Sequence, residues 1–395
     1  MDESISRGEE KVGICAPPSD AARHRFGLHS LYQRLLKRAG IEINGSNPWD
    51  MQVFDQRLWK RIALTGSRGL GDAYVEGWWD AERLELYFEK LLRSSVDKAT
   101  FNLPKTVLKY AARFANLQNI RRARQVGKTH YDLSHELYRA MLGERMVYTC
   151  AYWPNARTLD EAQEAKLELV CRKLQLEPGM RVLDIGCGWG SFAKYAADRY
   201  GVHVTGVTIS AEQASHARDI CRGLPTVILE QDYREITGSY DRIVSLGMFE
   251  HVGRKNYLQY MRIVQDHLAV DGLFVMQTVG LNKESSGMDP WVLHHIFPNS
   301  EVPTVARLAE AFVGRLRLDD WHNLGPDYER TLLAWHRNFL EAWPRLKTGF
   351  DSKFCRMWNY YLLMFAGAFR ARDLDVWQLV LAKPGRMTQF RRPLL

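Results

Sequence analysis

The chain has 395 residues, 46% hydrophobic and 25% charged, with 54 basic against 46 acidic side chains and a formal net charge of +8. That length exceeds the usual single domain and predicts two, each with enough sequence to bury its own core. No run of about eighteen apolar residues and no apolar signal core is present, so a membrane-spanning or exported chain is excluded and a cytosolic one expected; the excess charge predicts attraction to a polyanion, either nucleic acid or an anionic lipid surface.

Residues 1–27 are polar, mixed in charge and carry Pro17-Pro18, which predicts a mobile tail. From 28 to 115 the pattern is mostly helical: Leu31, Leu35, Leu36 and Ala39 fall on one helix face, and Leu86, Phe88, Leu91 and Leu92 on another. Gly66, Gly69, Gly71 and Gly77 interrupt it. This predicts a small helical N-terminal domain, followed at 116–128 by a basic linker with Arg121, Arg122, Arg124 and Lys128.

Residues 129–388 alternate strand and helix in the manner of a doubly wound α/β sheet. Strands are predicted at 180–186, 203–209, 226–231, 240–247, 272–280, 316–323 and 375–383, with the clearest helices at Ala162–Leu174 and Tyr257–Leu268. The last two strands are expected to pair antiparallel. Insertions at 281–313 and 328–371 sit where such folds build a substrate lid. Cys15, Cys150, Cys171, Cys187, Cys221 and Cys355 lack metal-ligand spacing, which argues against zinc and for reduced thiols. Twelve tryptophans suit a membrane interface or an apolar pocket as well as an ordinary core.

The most informative stretch is Arg181-Val-Leu-Asp-Ile-Gly-Cys-Gly-Trp-Gly190, in which an apolar strand runs into a glycine-rich turn and then a helix. Such a turn lets the backbone approach a nucleotide-type cofactor closely, although dinucleotide-binding folds and tight structural turns use similar glycines. The strand at Val204–Ile209 ends in Thr208 and Ser210 rather than the acid expected on an NAD ribose. Ligands in open α/β sheets sit at the carboxyl ends of the strands, at the switch in strand order. That rule gathers Gly186–Gly190, Thr208 with Gln213, Asp232 with Tyr233, and Leu246–His251 around one cleft. Asp232 would accept an adenine amino proton there, or would cap the next turn.

Seven motifs, taken together and in order, resemble the bacterial cyclopropane-fatty-acyl-phospholipid synthases, relatives of the mycolic acid cyclopropane synthases. They are Gly69–Trp79 (GLGDAYVEGWW), His130–Ser134 (HYDLS), Tyr148–Trp153 (YTCAYW), Asp184–Gly190 (DIGCGWG), Val207–Gln213 (VTISAEQ), Gly247–Gly253 (GMFEHVG) and Phe369–Asp373 (FRARD). The likeness runs from about Leu28 to Lys383. It implies a class I S-adenosylmethionine-dependent methyltransferase fold, Rossmann-like with a seven-stranded sheet and a small, mainly helical N-terminal domain. The implied reaction adds a one-carbon unit to the cis double bond of an acyl chain still attached to phospholipid.

An alkene is a poor nucleophile, so the methyl donor must be held in line and close. Methyl addition leaves a carbocation that water would capture, so a dry aromatic pocket and a proton acceptor are needed. The resemblance implies bicarbonate as that base, held by Cys150, Glu250, Tyr328, the side chain at 277 and backbone near Leu246 and Val279. Where the family typically has His-Thr-Ile-Gly, this chain reads Gln277-Thr-Val-Gly280; a neutral amide still donates a hydrogen bond, with less charge assistance. An ionised Glu250 would repel an anion, so a positioning role is expected for it. Cys150 is expected as a thiol, not a nucleophile.

For the cofactor, the resemblance implies Tyr148 and Thr149 near the methionine end, Asp184, Gly186, Gly188 and Leu246 around it, Thr208 and Gln213 on the ribose, and Asp232 with Tyr233 at the adenine. Tyr131 is expected by the acyl pocket, His251 as structural, and the N-terminal domain in homodimerisation and engagement of an anionic membrane from the cytoplasmic side. No metal site is expected, because His294 and His295 are adjacent on a helix and diverge. Three rival readings stay open. One is a fatty-acyl methyltransferase giving a methyl-branched or methylene product. Another is an RNA methyltransferase, for which neither an Asn-Pro-Pro-Tyr loop nor a Pro-Cys motif nor an RNA-binding module is present. The third is a lipid- or cofactor-binding protein without activity.

Overall fold

The computed structural model of the chain describes residues 26–94, 135–283 and 287–393. Most of the expected tail, the basic linker at 116–128, Tyr131 and the His130–Ser134 motif lie outside the described residues.

Seven strands form one sheet: β3 (Arg181–Ile185), β4 (His203–Thr208), β5 (Thr226–Glu230), β6 (Tyr240–Leu246), β7 (Leu268–Gly280), β8 (Arg317–Asn323) and β9 (Asp375–Ala382), ordered β5-β4-β3-β6-β7-β9-β8. The strands β3 to β7 run parallel, and β9 lies between β7 and β8, antiparallel to both. All seven expected strands are present. Only β7 begins well before its expected start, because Leu268 already pairs with Tyr240 across a register irregularity that sets residues 269–272 against Asp241.

Alternation along the strands sends side chains to two faces. Val182, Val204, Val244, Leu273, Val275 and Val380 pack with helices α6 (Leu159–Leu174), α7 (Ser191–Tyr200) and α8 (Ala211–Ile220). Leu183, Ile185, Val207, Phe274 and Leu379 pack with α9 (Tyr257–His267) and α11 (Val305–Phe312). Helix α6 starts three residues before its expected first turn, because Thr158 and Glu161 form a reciprocal capping box.

The N-terminal segment holds α1 (Phe26–Arg38), α2 (Arg57–Thr65), α3 (Ser67–Val75), α4 (Leu84–Arg93) and a short antiparallel pair, β1 (Gln52–Val53) with β2 (Trp79–Asp80). Contrary to the expectation of separate cores, its interior is continuous with that of α12 (Gly325–Leu346) and α13 (Ser352–Arg370). A single buried cluster joins Tyr32, Trp59, Tyr87 and Phe88 to Trp291, Trp335, Phe339, Tyr360 and Phe369. The cause is close approach: a Cβ added at Gly367 of α13 would lie 2.5 Å from the carbonyl oxygen of Glu85 in α4. The α5 (His135–Leu142) and α10 (Pro290–His295) helices complete this layer. Among the described residues no helix is long and apolar enough to cross a membrane.

Candidate functional site

Two adjoining cavities open at the carboxyl ends of the parallel strands, where the strand order switches between β3 and β6. The first is lined by every residue expected around the cofactor: Tyr148, Thr149, Asp184, Gly186, Gly188, Thr208, Gln213, Asp232, Tyr233 and Leu246. The second is lined by the four residues expected at the reaction centre, Cys150, Glu250, Gln277 and Tyr328. Tyr148, Thr149, Gly247 and His251 line both.

The glycine turn is shaped by position. Gly186 has φ +81°, and a Cβ there would sit 2.7 Å from Cγ of Met248. The amides of Gly186 and Cys187 both donate to the carbonyl of Val207, at 2.9 and 3.0 Å, which ties the turn to the end of β4. Asp184 lies beneath it, fully buried, and desolvation pushes its carboxyl up to about 7 against the opposing pull of Lys166. Its Oδ2 has no hydrogen-bond partner.

Thr208 and Gln213 are joined at 2.9 Å between Oγ1 and Oε1, and the Ser210 hydroxyl accepts from the Gln213 amide at the start of α8. Of the two roles expected for Asp232, the geometry shows the cap. It caps the following turn, accepting from the Arg234 amide at 3.0 Å, and it receives the Arg234 guanidinium at 2.7 Å on each oxygen. The neighbouring Tyr233 hydroxyl is buried without a partner.

Lys166 is a member of this cavity that sequence reasoning passed over. It is 1% exposed, donates to the Thr149 hydroxyl at 3.1 Å, and burial lowers its ammonium to about 8. Its signal was present: helix α6 places Lys166 and Lys173 seven residues apart, on the stripe that faces the sheet.

In the second cavity Glu250 sits in a short 3-10 turn, Phe249–His251, and Tyr328 in the first turn of α12, where Pro326 follows Gly325. Desolvation pushes the Glu250 carboxyl up to about 7. One of its oxygens accepts from the Val279 amide at 2.6 Å; Oε2 is buried without a partner. Of the backbone expected near the anion, Val279 and Gly247, the neighbour of Leu246, line this cavity, and the Val279 N–H is taken by Glu250; Leu246 itself lines the first cavity.

Cys150 is fully buried, its thiol donating toward the carbonyls of Ala151 and Leu324, and burial raises it well above the ordinary thiol range. Such a group is a neutral donor. Gln277, which lines this cavity, accepts from Gln378 Nε2 at 2.8 Å through its Oε1 and so keeps its NH2 for another acceptor.

Most of the remaining wall is apolar and comes from the two insertions: Phe297 and Val302 from the first, Leu332, Tyr361, Phe365 and Phe369 from the second. The hydroxyls of Tyr148 and Tyr361 meet at 2.9 Å across it. His251 is half-buried, its Nδ1 has no partner, and desolvation lowers it to about 4, so it is neutral where the cavities meet. His294 and His295 are drawn to Arg68 and Asp72 respectively.

Comparison with known proteins places this geometry. Residues 118–379 match the family model described as mycolic acid cyclopropane synthetase. The chain is 48% identical over 356 residues to the cyclopropane-fatty-acyl-phospholipid synthase of Escherichia coli (strain K12), spanning 90% of this chain and 93% of that one. It is 30% identical over 378 residues to the tuberculostearic acid methyltransferase of Mycobacterium tuberculosis, spanning 89% and 88% of the two chains. Among solved structures it is similar to a mycolic acid cyclopropane synthase complexed with SAH and CTAB, with a TM-score of 0.62 and 28% identity over 66% of this chain and 98% of that one.

Proposed function

The chain belongs to the mycolic acid cyclopropane synthetase family, and from that membership we propose that it is an S-adenosylmethionine-dependent enzyme forming cyclopropane rings on the cis double bonds of phospholipid acyl chains. The observation that carries this reading is the junction at Tyr148, Thr149, Gly247 and His251, where a glycine-floored cavity meets one walled by aromatic rings.

The residues fit both groups that the reaction requires. The unpartnered Asp184 Oδ2 and Tyr233 hydroxyl are polar atoms suited to a nucleoside cofactor, and the unpartnered Glu250 Oε2 with the Gln277 NH2 suits a small anion. When bound, S-adenosylmethionine supplies an electrophilic methyl carbon and bicarbonate supplies the proton acceptor.

The turn at Gly186 and Gly188 would bring backbone against the cofactor and hold it for attack at the junction. Phe297, Tyr361, Phe365 and Phe369 exclude water and offer electron-rich faces to the carbocation left on the acyl chain. Gln277 donates to the anion. Glu250 does so as well while it is protonated, since its carboxyl stays neutral below about pH 7. This removes the repulsion expected of an ionised glutamate. Neutral Cys150 closes the site together with Tyr328, and the ring forms when one proton leaves the new methyl group.

The same reading has the enzyme act as a homodimer held peripherally on the cytoplasmic face of an anionic membrane, with no nucleic acid partner. The net charge of +8 and helix α2, which carries Arg57, Lys60 and an exposed Leu64, support the attraction to an anionic surface.

Incubating the purified protein with vesicles of unsaturated phospholipid and methyl-labelled cofactor tests the proposal. Label should enter the acyl chains as a cyclopropane. Label absent from lipid would end it. A second reading, a methyl-branched product, is favoured by Gln277 and by the tuberculostearic acid methyltransferase relative, and NMR of the labelled lipid separates the two.

A further inference from the structure

Residues facing one another on adjacent strands form a row across β6, β7, β9 and β8: Leu246, Gln277, Gln378 and His322. Three of the four are polar and two are completely or almost completely buried, Gln378 at 0% and Gln277 at 2% exposure. Beneath this row lies Lys173, in the last turn of α6 and likewise 0% exposed. Its ammonium donates to Gln378 Oε1 at 2.9 Å, stands 3.1 Å from His322 Nδ1, and has Asp320 at 3.6 Å as its nearest carboxylate. Asp320 in turn is held by Arg392.

A buried charge of this kind is costly to keep, and packing alone would be served better by an apolar side chain. We propose that Lys173 and Gln378 are positioning residues that set which end of the Gln277 amide faces the reaction cavity. An ammonium has three donors and no acceptor, so Gln378 must present its carbonyl oxygen to Lys173. Its NH2 then points along the row and donates to Gln277 Oε1 at 2.8 Å. Gln277 has only its NH2 left to offer the cavity. The polarity of the group at the reaction centre is thus fixed two side chains away, by a cation that never touches the substrate. An imidazole at 277 would be oriented by the same chain, accepting from Gln378 on one nitrogen and donating to the cavity from the other. A glutamine can therefore replace a histidine here without reversing the direction of the hydrogen bond.

This inference rests on the proposed function and sharpens one residue of it. The test is Gln378→Glu, nearly isosteric, which still accepts from Lys173 but when ionised cannot donate to Gln277. The amide at 277 should then rotate, turning its oxygen to the cavity. Turnover of unsaturated phospholipid vesicles is expected to fall roughly a hundredfold, the scale of losing one oriented donor, with the KM for S-adenosylmethionine unchanged. In a Gln277→Leu background, where no amide remains to be turned, the same substitution should lower turnover no further. Retained turnover in Gln378→Glu would overturn the inference, as would a loss that persists in the Gln277→Leu background, since that loss would not pass through Gln277. A parent enzyme inactive on lipid would instead sink the function on which the inference rests.

Discussion

The two cavities are neighbours that share four residues, yet they are built in different ways. The cofactor cavity is made by short, nearly contiguous pieces at strand ends: the turn after β3, Thr208 and Gln213 around the end of β4, and Asp232 with Tyr233 after β5. The reaction cavity draws Cys150, Glu250, Gln277 and Tyr328 from four separate elements and roofs them with helices inserted late in the chain. One is a property of local backbone and strand order; the other exists only once distant segments have packed. Mutations should therefore separate binding of the cofactor from the chemistry.

The largest effect is expected from Gly186→Val, because a side chain must take a φ of +81° and enter the space of Met248. Calorimetric affinity for S-adenosylmethionine should drop at least about a thousandfold, on the reasoning that the close approach of backbone to cofactor is lost. Cys150→Ala should leave that affinity within about twofold; an equal loss in both variants would erase the distinction between the cavities. Next, Glu250→Ala should lower kcat about a hundredfold while KM for the cofactor stays nearly constant, as for loss of a single preorganised donor. A change confined to KM would move Glu250 into the binding site.

The reaction cavity should also show itself in stability. Burial raises the Glu250 carboxyl from its ordinary 4.5 to about 7, so the folded state favours the protonated form. Its contribution is complete below about pH 4.5 and is lost as pH rises through about 7, amounting to roughly 3 kcal/mol. Asp184 shifts in the same direction. The difference between parent and Glu250→Gln in denaturant titrations from pH 4.5 to 8 isolates the Glu250 part, and parallel curves would show that its carboxyl is not desolvated. The smallest effect is expected for Gln277→His, which should raise turnover a fewfold at low bicarbonate and less when bicarbonate is added, because a neutral imidazole N–H is a stronger donor to the anion than a carboxamide N–H. A histidine variant no better than the parent in either condition would count against an anion at that position.

The same contrast explains what could be read from the sequence. The strands announced themselves by short apolar runs, and the glycine turn by its spacing, so the sheet and the floor of the cofactor cavity were legible from local pattern. The start of α6 was not, although Thr158 and Glu161 carry its capping box, because the periodic apolar residues begin only at Ala162. Residues 28–115 read as a domain with a core of its own because helical periodicity shows that a face is buried, not what covers it. At the site, Cys150, Glu250 and Tyr328 carry no local signature and were found only through family resemblance. Lys166 and Lys173 were missed because a lysine on a helix reads as solvent-facing until the sheet is in place, and Gln378 because a lone glutamine in an apolar strand does not show which buried partners it meets.

The central claim is that an acyl double bond meets the cofactor methyl at the junction of the cavities, and that one methyl hydrogen then leaves as a proton. Supplying trideuteromethyl cofactor with unsaturated phospholipid vesicles and reading the product by mass spectrometry and NMR tests it most directly. The account predicts a cyclopropane whose new carbon keeps two of the three deuterons. A branch that keeps all three, or lipid carrying no deuterium at all, would contradict it.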